Sequence, residues 1–467
     1  MSYTEIDKPT ENFNAVKYSG TGSAGLNVNV GFATDFAWTK NLNSGYQHQL
    51  VTTILGNTNC LSSDDTQEVN VISDGITAFT STGFTLGANN TGSKGEDEWN
   101  KSGHNFITWN WLAGGTAPTK TYTVKVVSDS GNKYRFNDFG TSAVTLDLQE
   151  GGTYTFDQSD SSNSGHPLRF STTSDGSHGG GSEYTTGVTT SGTPGSAGAK
   201  TIISVGSSVA TLYYYCTQHS GMGGQANTNS THGSSNFDGS IQSKVSVNQT
   251  AGISIGTYSA NATSGATVGH ELGVQPKMLI VKTTNNNNNW VVYHEAVGAT
   301  KAVYWDSTSA QTTDAWMNNT APSSSVFTLS GGNYGNASGY NVQFFAFAEK
   351  KGFSSFGKYR ANDQDGDNSP YVYLGFKPAL VWIKQMASNR DWVIVDNKRD
   401  GYNDDNNSLN INTNDPEDTG DTISLLSNGF KLQNSTGEVN YSTNDYLYCA
   451  WAEEPTVTST GLPTTAG

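Results

Sequence analysis

One ten-residue pattern occurs three times in this chain: GFATDFAWTK from Gly31, GVQPKMLIVK from Gly273 and GFKPALVWIK from Gly375. In each copy a glycine opens, a lysine closes, and a turn-like polar pair, with Pro276 and Pro378 in the later copies, leads into a short apolar run. Such a run bounded by turn residues reads as a buried strand. A second landmark follows at nearly constant distance, because Phe84, Phe327 and Phe430 stand 53, 54 and 55 residues after the opening glycines. An aromatic-rich strand then closes each copy: HNFITWNW ending at Trp111, NVQFFAFAE around Phe347 and DYLYCAWAE around Trp451. Three landmarks kept in one order three times make a repeat, and each copy must then be one structural unit. The expected units are residues 1–117, 251–351 and 352–458, each near the size of a small β-sandwich. Residues 118–250 form an insertion, and 459–467 a C-terminal tail.

Composition decides what kind of unit. Only 34% of the residues are hydrophobic and 14% charged, while glycine alone numbers 53. Serine, threonine, asparagine and glycine serve turns and weaken helices. The 22 tyrosines, 19 phenylalanines and 10 tryptophans suit pleated, half-buried strands. Aromatic residues spread along the whole length also argue against disorder. The fold class expected is all-β and multi-domain. A net charge of −16 disfavours nucleic acid and anionic membranes as partners, since both would repel the chain. No apolar run approaches the ~18 residues of a membrane span, so no membrane insertion is expected. The opening residues lack the basic and apolar regions of a secretory signal, which points to assembly in a cytoplasm. Three widely spaced cysteines, Cys60, Cys216 and Cys449, make no disulfide framework.

The third copy continues with DWVIVDNKR, a D-W-x-V-x-D-x-x-R element with Ile394 at the valine position, then an S-x-G-F strand and a Y-x-A-W strand. It carries Gly375, Phe376, Pro378, Trp382, Lys384, Asp391, Trp392, Asp396, Arg399, Gly429, Phe430 and Trp451. This pattern resembles a domain family of unknown function that is widespread in tail-fibre-like and other structural proteins of marine bacteriophages, especially those of cyanobacteria. The first copy departs from it by lacking the proline and the D-W element, and the second has Val274 for phenylalanine. The resemblance covers about two thirds of the chain. It implies a non-enzymatic virion protein, a tail-fibre or surface-appendage component, with other virion proteins as partners. By analogy with such appendages the chain would be a homo-oligomer, with a trimer favoured, and would meet a glycan or protein on the host surface. Capsid decoration is the neighbouring alternative.

The insertion has different chemistry. Cys216-x-x-His219-x-x-Met222 follows the strand-like TLYYYC, and an upstream histidine, His166, stands in SGHPLRF. A thiolate, two imidazoles and a thioether are the donor set of a blue-copper centre, and the soft sulfurs select copper over harder cations. A tight loop leaving a strand can turn three of these groups to one point, with the second histidine arriving from a neighbouring strand. The stretch resembles the cupredoxin family, and its short loop is like that of amicyanin-type members. The resemblance implies a Greek-key β-sandwich with His166, Cys216, His219 and Met222 as ligands, and it opens a further alternative, a copper-binding electron-transfer protein. Zinc also accepts such donors. Pro167 departs from the family's usual asparagine and removes a backbone N–H that could hold the thiolate loop. His178 and His232 read as exposed loop residues, Asp400, Asp404 and Asp405 as a solvated turn, and no catalytic constellation is found.

Overall fold

The computed structural model describes residues 4–89, 98–332, 334–399, 403, 406–420 and 422–455. Asp400, Asp404, Asp405 and the tail 459–467 lie outside the described residues. Among those described, the chain forms β-strands and four short 3₁₀ turns. The protein is all-β and multi-domain.

Each repeat unit is built from a large inner sheet and a small outer one. In unit three the inner sheet runs in the order Ser354–Arg360, Asp445–Pro455, Phe376–Gln385, Trp392–Asp396, Ser408–Asn410, every pair antiparallel. The corresponding central strands are Phe36–Asn41 between Asn105–Trp111 and Gln49–Thr52 in unit one, and Met278–Thr283 between Asn341–Phe347 and Val291–His294 in unit two. These central strands are the apolar runs of the ten-residue pattern. They are buried on both faces, which explains why they read as continuous rather than alternating. The outer sheet pairs the second landmark with an earlier strand, setting Val28 opposite Phe84, Val268 opposite Phe327 and Val372 opposite Phe430.

The units do not follow one another like beads. Their inner sheets face one another across a single core that contains residues of all three. Trp38, Trp305 and Trp382 form a triangle with ring centroids 4.8, 5.4 and 5.4 Å apart. Beside it the equivalent closing-strand residues Trp111, Phe347 and Trp451 form a second, at 5.4–6.3 Å. These are the separations at which edge-to-face aromatic pairs attract. Unit two carries Ile280 where units one and three carry Trp38 and Trp382, and Trp305 from the same unit completes the triangle.

Three equivalent joints close the ring. The lysine ending each pattern is fully buried and reaches into a neighbouring unit. Lys40 Nζ donates to Asn414 O at 3.2 Å, Lys282 Nζ to Thr66 O at 2.7 Å and Lys384 Nζ to Thr308 O at 2.7 Å. Unit one thus grips unit three, two grips one, and three grips two. Burial pulls the three ammonium groups down to about 8, 8 and 7 respectively. Eight residues after each lysine a ring N–H makes a parallel bond: Trp290 Nε1 to Ser62 O, Trp392 Nε1 to Tyr304 O, both 2.8 Å, and His48 Nε2 to Asn410 O at 3.0 Å. Trp38 donates to His48 Nδ1, which fixes the tautomer with hydrogen on Nε2, and burial holds that imidazole neutral. A backbone bond completes each joint: Val69 to Thr284, Gln311 to Met386 and Glu417 to Leu42. One heterologous contact repeated three times closes on itself. The asparagine run at residues 285–289 forms a loop, exposed at 285–287, that serves a joint, since Asn287 accepts from Glu68 N–H.

The insertion is a two-sheet sandwich with its own core. One sheet has five strands spanning residues 119–204, the other four spanning 146–229. The expected boundary at residue 250 moves, because Ser243–Asn248 pairs with Ile253–Ser259 and extends the inner sheet of unit two. Polar contacts fix the insertion to the ring. Lys120 pairs with Glu271 at 2.7 Å, and His232 Nδ1 meets the buried Asp35 carboxylate at 2.5 Å. His232 is therefore a half-buried anchor and not the free loop residue expected from its Gly/Ser surroundings.

Candidate metal centre

Strand pairing brings the centre together. Leu212–Cys216 runs antiparallel to Leu168–Ser171 with Cys216 opposite Leu168, so His166, two residues earlier, arrives beside the sulfur. Asp160 caps the 3₁₀ turn Ser161–Asn163 that leads the chain there, and His166 N–H closes that turn on Asn163 O. Three residues past Cys216 the loop returns His219. Cys216 Sγ lies 3.8 Å from His166 Nδ1 and 3.7 Å from His219 Nδ1, and the two rings are 4.6 Å apart. All three donor atoms fall within 4.8 Å of one another.

These distances fit a shared ion. With metal–sulfur and metal–nitrogen bonds of about 2.3 and 2.0 Å and an angle between tetrahedral and trigonal, sulfur and nitrogen stand roughly 3.5–3.8 Å apart. Cys216 is fully buried, His166 half-buried and His219 exposed, so the centre sits at the sandwich surface with its sulfur innermost. Met222 is buried in the same core as Cys216. Tyr134 ties both ends of the site, donating its backbone N–H to Met222 O at 3.0 Å and its hydroxyl to His166 O at 2.9 Å. Gln158 Nε2 also donates to His166 O. Burial, and then the neighbouring His219, lower the pKa of His166, which favours the neutral imidazole a metal requires.

Pro167 supplies no N–H to the thiolate loop, and a different turn takes over. His178 Nε2 donates to Cys216 O at 3.0 Å, and Asp175 Oδ1 accepts from Gly221 N–H at 2.9 Å. Both belong to the stretch around the 3₁₀ turn Gly176–Gly179, which packs on Tyr215. Sequence reasoning set His178 aside as an exposed loop residue. It is exposed, but its ring holds the carbonyl of the candidate thiolate. No local motif signals this, because the contact joins residues 38 positions apart. All three cysteines are free and buried. Cys60 and Cys449 lie in the ring, where burial pushes their thiols up.

Neither a curated protein nor a solved structure matches the chain. One family model does, in two segments, residues 8–139 and 225–455. It runs through all three units as one body and passes over residues 140–224, where the four candidate ligands stand. The chain belongs to the family described as Domain of unknown function (DUF7483).

Proposed function

We propose that the chain is a non-enzymatic structural protein of a bacteriophage particle, a tail-fibre or surface-appendage component that takes part in host attachment. The ring of three units carries this reading. Its buried joints make one stiff body from a chain with few hydrophobic residues, and a stiff body suits a part that must transmit contact without chemistry. Its outer sheets and the insertion leave faces free for other virion proteins and for a host surface. Immunogold labelling of intact particles with antibodies to the chain tests the proposal. Label on tail fibres or another appendage supports it, label over the capsid shell moves the chain to decoration, and particles that carry no label remove the virion assignment.

The cluster of Cys216 with two imidazoles favours a second reading, in which the insertion binds copper. His166, Cys216 and His219 would hold the ion, and the thioether of Met222, buried in the same core as Cys216, would be a further soft donor. A bound copper would supply one-electron chemistry. The chain's own part is to hold the sulfur and both Nδ1 atoms in place before the ion arrives. Titrating the purified protein with Cu(II) gives an intense visible thiolate-to-copper band, and Cys216→Ser abolishes it. Copper bound without that band, or a band that survives the substitution, defeats the assignment. Zinc binding without colour at the same residues would make the centre structural.

A further inference from the structure

The near-symmetry of the ring provides an internal control for each surface position. In the outer sheets the inward residues are kept: Val28, Val268 and Val372 face Phe84, Phe327 and Phe430. The outward residues on either side of those valines are not. They are the exposed Asn27 and Asn29 in unit one and Tyr371 and Tyr373 in unit three, whereas in unit two Thr267 and Gly269 are covered by the segment around Asn236, Asp238 and Ser240. Unit one shows that the fold is satisfied by exposed asparagines at these places. Only unit three spends two aromatic rings there, and they stay 44% and 64% exposed.

We infer that Tyr371 and Tyr373 form a saccharide-binding platform on the outer sheet of unit three. The two side chains point to one face, about 7 Å apart along the strand at 3.4 Å rise per residue. Tyr371 is laid across Gly429, where a β-carbon would stand 3.1 Å from its Cζ, and its hydroxyl is bonded to Asn428 Oδ1. One ring is thus held in advance of binding, which lowers the entropy of capture. The neighbouring Lys431 is cross-strand to Tyr371 and pairs with Asp367 at 3.5 Å.

Size and charge select the occupant. The exposed parts of two tyrosines amount to on the order of 200 Å², far below the ~800 Å² per partner of a stable protein interface. Charges on the patch are paired, and the chain as a whole carries −16, which disfavours an anionic ligand. A neutral pyranose chain fits both conditions. Its C–H faces stack on aromatic rings, and its hydroxyls meet the amide and charged groups at the rim. The use of this platform in attachment rests on the virion reading, but the site itself does not.

Isothermal titration of the purified full chain with cellohexaose, laminarihexaose and mannohexaose tests it, with a heparin hexasaccharide as the anionic control. At least one neutral hexasaccharide binds. Tyr371→Ala with Tyr373→Ala weakens that binding roughly tenfold or more through the loss of two stacking contacts. Replacing both tyrosines by phenylalanine keeps most of it, and Asn27→Ala with Asn29→Ala changes nothing. The thermal midpoint is the same for all variants. No neutral binding, binding to heparin alone, or binding that survives the double alanine variant overturns the inference. Saccharide binding by a chain found nowhere on particles would leave this site standing and remove only the virion reading.

Discussion

Trp382→Ala lowers the stability of the ring by about 3–5 kcal/mol, the range for deleting a fully buried large aromatic, and it does so for all three units together. Trp382 is completely buried and lies within 4.6–6.1 Å of Trp451, Trp38, Trp305 and Trp111, which come from all three units. The void opened by alanine cannot be filled from one side, because the facing rings are held by the joints around them. Scanning calorimetry checks this. The transition of the ring shifts down as one, while that of the insertion, which has a separate core, stays in place. Trp382→Phe costs less, since Trp382 Nε1 donates to no protein acceptor among the described residues and only volume is lost. A loss below ~1 kcal/mol, or units that melt at separate temperatures, would show that the core is not shared.

Arg399→Ala has a comparable effect for a different reason. Arg399 Nε donates to Asp396 Oδ2 at 2.7 Å with both side chains fully buried, and its Nη2 donates to Ile394 O at 2.8 Å. Asp396 Oδ2 also accepts from Trp109 Nε1 of unit one at 3.0 Å, so the pair lies on the joint between units three and one. Removing the guanidinium leaves a buried carboxylate with no counter-charge, which costs about 3–5 kcal/mol. Asp396→Asn added to Arg399→Ala recovers part of that loss, because the amide oxygen still accepts from Trp109 while the charge is gone. Denaturant unfolding of the single and double variants measures both steps. If the double variant is no more stable than the single, charge burial is not the cause.

The same position shows how the joints diverged. Twelve residues after the pattern lysines stand Thr52, His294 and Asp396, and each meets the closing strand of another unit. Gln343 Nε2 donates to Thr52 Oγ1 at 2.6 Å, and His294 Nε2 donates to Tyr448 O at 3.2 Å, where Asp396 meets Trp109. Burial lowers His294 to about 4, so its role is that of a neutral donor. Three unlike residues thus fill one geometric role. The D-W element is missing from the sequence of unit one, whereas the geometry follows its position through His48, Trp290 and Trp392 in all three.

Local chemistry determined the strands, the repeat and the cysteine loop of this protein. A short apolar run opened by glycine and proline reads as a buried strand, and Cys216, His219 and Met222 lie close enough in sequence for one loop to gather them. His166 was legible by donor type, and the strand register that sets Leu168 opposite Cys216 placed it. Tertiary structure alone decided that the three units close into a ring. The deciding contacts, a buried lysine on the carbonyl of another unit and an indole or imidazole N–H beside it, join residues up to 374 positions apart. A carbonyl acceptor belongs to every residue alike, so no side-chain pattern marks which one will be used. The same reason hid His178, whose partner is the backbone oxygen of Cys216.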